Sequence, residues 1–271
     1  MLRIFIIGAS GFLGQALFKE LNPYFDVFGT YFTSQKSYNS NRRYYQWNVE
    51  SEPLTPILND IKPDIVITSF KGAFPAQVEA YQELISYVVR HRKKLMLIST
   101  SNVFDAFTNY PSYEYDKTLS GSIYGRFLIK IENALLRLPN AYYNILRLPM
   151  VFGKTSPRLQ EILKLHKLNE AIDVFPKVII NATTEKKICQ QMHYIINQSL
   201  QGVFHLGSTD VIHHKDLIED ICEVNVLEDP IFRNNYQSNL DRYLALLPKH
   251  NKLPDNYQIS IQDVIKSSKI L

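Results

Sequence analysis

Cysteine is scarce in this chain. The 271 residues hold two, Cys189 and Cys222, with no CxxC pair. Zinc and dithiol chemistry therefore lack the spacing they need, and so few thiols fit a reducing, cytoplasmic setting. Long apolar runs are missing too. The opening stretch Met1 to Ile7 is too short for a signal peptide and runs straight into a glycine motif, so a buried strand is expected there. No later stretch is long and apolar enough to span a bilayer. Charge is not one-sided: 30 Lys and Arg against 26 Asp and Glu leave a formal +4. No basic stripe of the kind nucleic-acid binders carry is present. Neither a nucleic acid nor a membrane is expected as a partner. With 45% hydrophobic and 21% charged residues, disorder does not describe the chain as a whole. Its length suits one large domain, or a domain with a smaller lobe.

What is present is alternation. Leu2 to Ile7 is a nearly continuous apolar run, as a strand covered on both faces requires. Phe12, Leu13, Ala16, Leu17 and Leu21 then follow helical spacing up to Asn22-Pro23. Strands are predicted at Asp26 to Tyr31, Tyr44 to Trp47, Ile65 to Thr68, Leu95 to Ile98 and Tyr143 to Leu148. Between them come helices at Ala76 to His91 and Ile123 to Leu138, the first with Val78, Tyr81, Leu84, Ile85 and Val88 on one face. After Pro149 the pattern loosens, with helices expected at 159–168 and 185–197 and a strand at Val203 to Leu206. The expected fold is α/β: a Rossmann-type doubly wound parallel sheet with a smaller C-terminal α/β substrate lobe. A boundary is placed at 150, giving an NAD(P)-binding domain at 1–150 and a substrate lobe at 151–271, with strand 203–206 returning to the main sheet.

The first chemical signal is Gly8-Ala9-Ser10-Gly11-Phe12-Leu13-Gly14. The first glycine of such a turn permits the tight bend, the second admits a pyrophosphate to the backbone, and the third lets helix and strand pack closely. The phosphates then meet the free N–H groups of a helix start. Three glycines in seven residues mean little alone, but here they follow an apolar strand and open an amphipathic helix. Gly8, Ser10, Gly11, Phe12, Leu13 and Gly14 are thus the expected cofactor-binding loop. An NAD site usually carries an acid some 20 residues on. Here Thr30, Tyr31, Phe32 and Thr33 stand in that region, followed by Lys36, Arg42 and Arg43. With no carboxylate to repel a 2′-phosphate, NADP(H) is the expected cofactor and NAD(H) the alternative. Thr30 is expected beside the cofactor. Ser69, Phe70 and Lys71, after the fourth strand, are expected to enter the same site. The pair His213-His214 lacks metal-ligand spacing, so no metal is expected.

Further segments carry a resemblance. They are Lys62-Pro63-Asp64-Ile65-Val66-Ile67, Ser99-Thr100-Ser101-Asn102-Val103-Phe104-Asp105, Tyr124-Gly125-Arg126, Arg147-Leu148-Pro149-Met150-Val151-Phe152-Gly153 and Gly202-Val203-Phe204-His205-Leu206. Together with the GxxGxxG loop, these resemble the extended short-chain dehydrogenase/reductases, and within them the dTDP-4-dehydrorhamnose reductase branch, also called the sugar-nucleotide-binding family. The resemblance implies hydride delivery to a ketone with proton donation by a tyrosine. Tyr124 matches that tyrosine, which also contacts the cofactor, and Thr100 matches the hydroxyl that polarises the carbonyl. Ser101 and Asn102 beside it are implied substrate contacts. So are Lys154 and Arg158, where relatives bind a nucleotide diphosphate. The implied partner is a sugar-nucleotide substrate, with a homodimer left open.

One position departs from the pattern. The family places a lysine four residues after the tyrosine, on the same helix face, and this chain has Leu128 there. Lys130 lies about 9 Å further along the helix axis than Tyr124 and points elsewhere. That lysine normally holds the nicotinamide ribose and lowers the tyrosine pKa. Reduction needs the protonated tyrosine and could survive its loss. Two functions are therefore expected from different classes. One is an NAD(P)H-dependent reductase of a 4-keto nucleotide-activated deoxysugar. The other is a non-catalytic nucleotide-binding partner, as the regulatory β subunit of methionine adenosyltransferase is within this family. An epimerase or dehydratase of the same superfamily stands third.

Overall fold

The computed structural model describes residues 1–32, 38 and 41–270. Strand β1 (Arg3–Ile7) buries Ile4, Phe5, Ile6 and Ile7 completely. It pairs in parallel with β2 (Asp26–Tyr31) on one edge and β4 (Ile65–Thr68) on the other, with Ile4 opposite both Val27 and Ile65. A strand flanked in this way has no solvent face, so its sequence shows no alternation. Each such aliphatic side chain contributes roughly 1.5–3 kcal/mol of burial.

Helix α1 (Phe12–Leu21) follows β1, with Leu17 and Leu21 buried. Next come β3 (Tyr44–Gln46), α2 (Thr55–Ile61), α3 (Phe74–His91), β5 (Lys94–Thr100), a 3₁₀ turn (Ser101–Phe104), α4 (Ile123–Leu135) and β6 (Tyr143–Leu148). The second half adds β7 (Met150–Phe152), α5 (Pro157–Lys167), β8 (Ile172–Val174), β9 (Val178–Ile180), β10 (Ala182–Thr184), α6 (Glu185–Asn197), β11 (Gly202–His205), β12 (Ile212–His213), α7 (His214–Val224), β13 (Phe232–Asn234), β14 (Arg242–Leu244) and α8 (Ile261–Ser267). The main sheet is a seven-stranded parallel, Rossmann-like sheet in the order β3-β2-β1-β4-β5-β6-β11. The strand order reverses between β1 and β4, which is where open α/β sheets bind ligands, beyond the carboxyl ends of the strands.

Two elements differ from the sequence expectation for identifiable reasons. Helix α2 has a proline in its first turn as its one start signal, and its N-cap is Leu54, whose side chain cannot cap. The cap comes from Glu83 instead, whose carboxylate accepts the N–H groups of Leu54 (3.0 Å) and Thr55 (2.7 Å). Helix α3 turns a different face inward. Gln77, Ala80, Tyr81, Leu84, Tyr87 and Val88 are buried, while Val78 and Ile85 are only half-buried. The polar members are satisfied locally: Gln77 Nε2 donates to Gly72 O (2.7 Å) and the Tyr87 hydroxyl to Pro63 O (3.1 Å).

The chain divides into two compact units, each drawn from three separate segments. The first comprises Met1–Ser99, Phe127–Leu146 and Met192–Gly202; the second Thr100–Arg126, Arg147–Gln191 and Val203–Leu271. Within the second, β7 pairs in parallel with β10, β8 with β13, and β12-β9-β14 form a three-stranded sheet. Its core gathers Phe152, Leu159, Ile172, Leu217, Ile221 and Val264. Both cysteines are buried, and they form no disulfide. Burial pushes the Cys222 thiol up to about 11, which keeps it protonated and inert. Among the described residues, no helix is long and apolar enough to cross a membrane.

Candidate functional site

The glycine loop starts from Gly8, at φ +85°. A Cβ there would sit on the Ser69 carbonyl oxygen, so the ends of β1 and β4 meet with no room for a side chain. The loop is braced from three sides. Gly8 N–H donates to Thr30 Oγ1 (2.8 Å), Gly11 N–H to Gly8 O (3.0 Å), and Gln15 Nε2 to Ser10 O (2.7 Å). Thr30 is buried, so its hydroxyl serves the loop. Gly11 is the N-cap of α1, with no side-chain cap and no acid in the first turn. The first N–H groups of this ten-residue helix are therefore open to an anion. Phe12 and Leu13 begin the helix, and Gly14 packs its Cα against the Gly8 carbonyl and Ala9. Ser69 N–H donates to Ile7 O (2.8 Å), and Phe70 meets Trp47 edge-on and Tyr81 at a tilt, both with centroids at 5.4 Å. Lys71 is exposed. The cradle, Thr30, Ser69 and Phe70 thus lie at one end of the sheet.

The cations proposed to favour a 2′-phosphate are placed unevenly. Arg43 donates to Asp26 Oδ1 (2.9 Å) and Val27 O (3.1 Å), at the start of β2 and away from the cradle. Arg42 is exposed. Lys36 and Thr33 lie outside the described residues. At the carboxyl end of β2 the neighbours are aromatic instead: Tyr31 stacks on Tyr38 at 5.4 Å, and Gln15 Nε2 reaches the Tyr38 hydroxyl at 3.2 Å.

In the second unit, Thr100 caps the 3₁₀ turn. Its Oγ1 accepts the Asn102 N–H (2.9 Å) and donates to Asn102 Oδ1 (2.8 Å). Ser101 is buried. The loop leading to α4 is pinned by Asp105, a residue that sequence reasoning quoted only as part of a motif. Its Oδ2 accepts the Ser120 hydroxyl (2.9 Å) and its Oδ1 the Gly121 N–H (2.7 Å). Ser122 Oγ then accepts the Gly125 N–H (3.0 Å), capping the helix. A Cβ at Gly125 would land on Ser120 Oγ and Asn102 O. Helix α4 therefore starts hard against the turn that Thr100 caps, and this brings Tyr124 beside it. Tyr124 is 45% exposed, yet partial desolvation raises its hydroxyl above the ordinary tyrosine value. One turn on, Leu128 is 3% exposed, and one turn further the buried Glu132 accepts the Ser99 hydroxyl at 2.6 Å.

The second unit also holds a polar knot that the sequence marked only as two motif letters, Arg147 and His205. Arg147 is fully buried. Its Nη1 donates to Glu114 O (2.9 Å) and lies 3.3 Å from His205 Nε2, and its guanidinium covers the Phe104 ring at 4.8 Å. An arginine can only donate, so Nε2 accepts and Nδ1–H donates to Leu247 O (3.2 Å). Burial first, and the Arg147 charge second, push His205 down to about 3, so the ring is neutral. The buried Glu114 carboxylate accepts the N–H groups of Lys249, His250 and Asn251 at 3.0–3.2 Å.

Lys154 and Arg158 stand elsewhere in this unit, on the turn after β7 and in the first turn of α5, which Ser156 caps. Desolvation lowers the Arg158 guanidinium, with Glu161 opposing. Burial, then the Arg158 charge, holds the nearby His214 down to about 4; its Nδ1 accepts the Phe175 N–H at 3.4 Å. His213, by contrast, sits between Asp216 and Asp241. Among the described residues, no three His, Cys, Asp or Glu side chains gather as metal ligands.

The model of the RmlD substrate binding domain matches residues 2–242. The chain is 25% identical over 235 residues to methionine adenosyltransferase 2 subunit beta of Danio rerio, covering 77% of this chain and 69% of that one. Among solved structures, it superposes on dTDP-4-dehydrorhamnose reductase of Bacillus anthracis in complex with NADP at a TM-score of 0.76, with 20% identity and 98% of each chain covered. It also superposes on the Bordetella bronchiseptica enzyme WbmH in complex with NAD+ at 0.80, with 15% identity, covering 99% of this chain and 97% of that one. At these identities the structural likeness shows the fold.

Proposed function

The chain belongs to the RmlD substrate binding domain family, and from that premise we propose that it is an NADP(H)-dependent reductase of a 4-keto nucleotide-activated deoxysugar, with NAD(H) as the alternative cofactor. The observation that carries this reading is Tyr124, half-exposed at the head of α4 on a loop pinned by Asp105, beside the turn that Thr100 caps. The cradle fits a dinucleotide: a bend without side chains, then a helix start with no cap of its own. Gly8, Ser10, Gly11, Phe12, Leu13 and Gly14 would hold the pyrophosphate, with Ser69, Phe70 and Lys71 flanking it. Bound there, the dinucleotide supplies hydride.

The chain itself supplies a proton. As the ketone carbon is reduced, charge develops on its oxygen, and Tyr124 Oη releases its proton to that oxygen. The raised pKa keeps this hydroxyl loaded at neutral pH. Exposure of the residue lets solvent restore the proton. At neutral pH the tyrosinate that the reverse oxidation would need as its base is scarcely populated. Thr100 can donate to the carbonyl oxygen only by turning its hydrogen away from Asn102 Oδ1, while the Asn102 N–H continues to hold its oxygen. Ser101, Asn102, Lys154 and Arg158 would contact the substrate.

A specific observation favours a second reading. Leu128 is buried where the family resemblance calls for lysine, so nothing at that position orients the nicotinamide ribose. A nucleotide-binding partner subunit without catalysis would tolerate this. The assay that separates the two follows NADPH absorbance at 340 nm across a panel of 4-keto sugar nucleotides, alongside calorimetric NADPH binding. Turnover supports the reductase. Tight NADPH binding with no turnover on any substrate supports the partner subunit. Absence of binding overturns both.

A further inference from the structure

Helix α3 runs out into a string of cations, Arg90-His91-Arg92-Lys93-Lys94, at the start of β5. Arg92 is the C-cap of α3 and Lys62 the C-cap of α2, both left-handed, at φ +52° and +51°. Ile65 of β4 stands opposite Lys94 of β5, so the two caps lie on neighbouring stretches at the amino end of the first unit's sheet. A helix dipole favours a cation in the last turn, but α3 carries a surplus. Asp64 neutralises Lys93 (2.7 Å), and Lys94 Nζ donates to Leu200 O (3.0 Å). Lys62, Arg90 and Arg92 are exposed, and among the described residues they have no acidic partner.

A groove of about 420 Å³ leads from this cluster along α3, with α2 as its other wall. On α3 its lining includes Glu79, Gln82, Ser86 and Arg90, which share one helix face. From Glu79 to Arg90 the groove covers about 16 Å of helix axis, the reach of about five residues of extended chain. Its two ends are opposite in sign. Glu79 is exposed and has no ion pair among the described residues, whereas Arg90 and His91 close the other end. Glu83 lines the groove too, but its carboxylate is spent on the Leu54 and Thr55 N–H groups.

This gradient selects the occupant. A nucleic acid carries negative charge along its whole length and would meet Glu79. A flat lipid surface cannot enter a cleft between two helices. A polypeptide can set acids at one end and a cation at the other, and a guanidinium fork pairs with a carboxylate through two parallel bonds.

We propose that the groove between α2 and α3 docks an extended segment of a partner protein, acidic over Arg90 and Arg92 and basic over Glu79. The glycine loop lies beyond the carboxyl end of β1, at the far end of the same parallel sheet. Segment and dinucleotide can therefore be held at once, whether the chain turns over a substrate or serves as a partner subunit.

The test is fluorescence anisotropy with a labelled heptapeptide bearing three glutamates at one end and two lysines at the other. It is made in both chain directions and compared with a scrambled peptide of the same composition. At low ionic strength, where exposed charges act most strongly, one direction should bind the whole chain at least tenfold tighter than the scramble. Arg90→Gln combined with Arg92→Gln should remove that advantage, and so should Glu79→Lys alone. All three positions are exposed, so melting temperature and NADPH binding should not change in either variant. The proposal is overturned if neither direction outbinds the scramble, or if either variant binds the peptide as the parent does. A single-stranded oligonucleotide or a phosphatidylserine vesicle that binds more tightly than both peptides overturns it as well, since the surface would then be a general anion binder.

Discussion

Acidification from pH 7.5 to 5 should destabilise the fold by about 2 kcal/mol through His205 alone. The unfolded chain carries an ordinary histidine at 6.5, whereas in the fold burial and Arg147 hold it at about 3. As pH falls below 6.5 the unfolded state takes up a proton that the folded state refuses, so stability is lost progressively between about 6.5 and about 3. At 1.36 kcal/mol per pH unit, the full gap amounts to about 5 kcal/mol, of which about 2 has gone by pH 5. The perturbation that isolates this is His205→Gln. A glutamine oxygen can accept from Arg147 Nη1 and its amide can donate to Leu247 O, so the knot keeps its bonds and loses its titration. The assay is urea unfolding followed by far-ultraviolet circular dichroism at both pH values. His214, held at about 4 by burial and Arg158, titrates in both proteins and cancels from the comparison. The variant should lose about 2 kcal/mol less than the parent between the two pH values. Equal losses would refute the neutral, buried assignment of His205.

Three further outcomes are expected. Tyr124→Phe should lower turnover by about 10²–10⁴ and weaken NADPH binding far less, checked at 340 nm and by calorimetry. Gly11→Ala should weaken NADPH binding at least tenfold while the melting temperature holds. Gly11 is exposed at φ −77°, so its backbone accepts a side chain, and the cost falls on the approach of a pyrophosphate. Leu128→Lys should raise turnover if the chain is a weakened reductase, and should lower thermal stability because Leu128 is 3% exposed. A stable Leu128→Lys protein with unchanged, negligible turnover would favour the partner-subunit reading.

The main sheet was legible because its signals are local. Ile4 to Ile7 and Ile65 to Ile67 are contiguous apolar runs whose bounds need only their own residues. The glycine loop was legible for the same reason, since bend, strand and helix adjoin. Helix α2 was not, because its cap is the Glu83 carboxylate, 28 residues from Thr55. The Asp105–Ser120–Ser122 bracing was hidden for a similar reason, with 15 residues separating the first pair. Tyr124 stood out through family resemblance.

Because each unit is assembled from three stretches of chain interrupted by the other, no single cut of the backbone yields either one whole. On the ribosome, at about 5–20 residues per second, the first unit must wait for Gly202 before its last segment emerges, and the second for the helix Ile261–Ser267. Nascent chains will therefore stay vulnerable to proteases until the helix Ile261–Ser267 has emerged, and expression trials built on shorter fragments should give insoluble material.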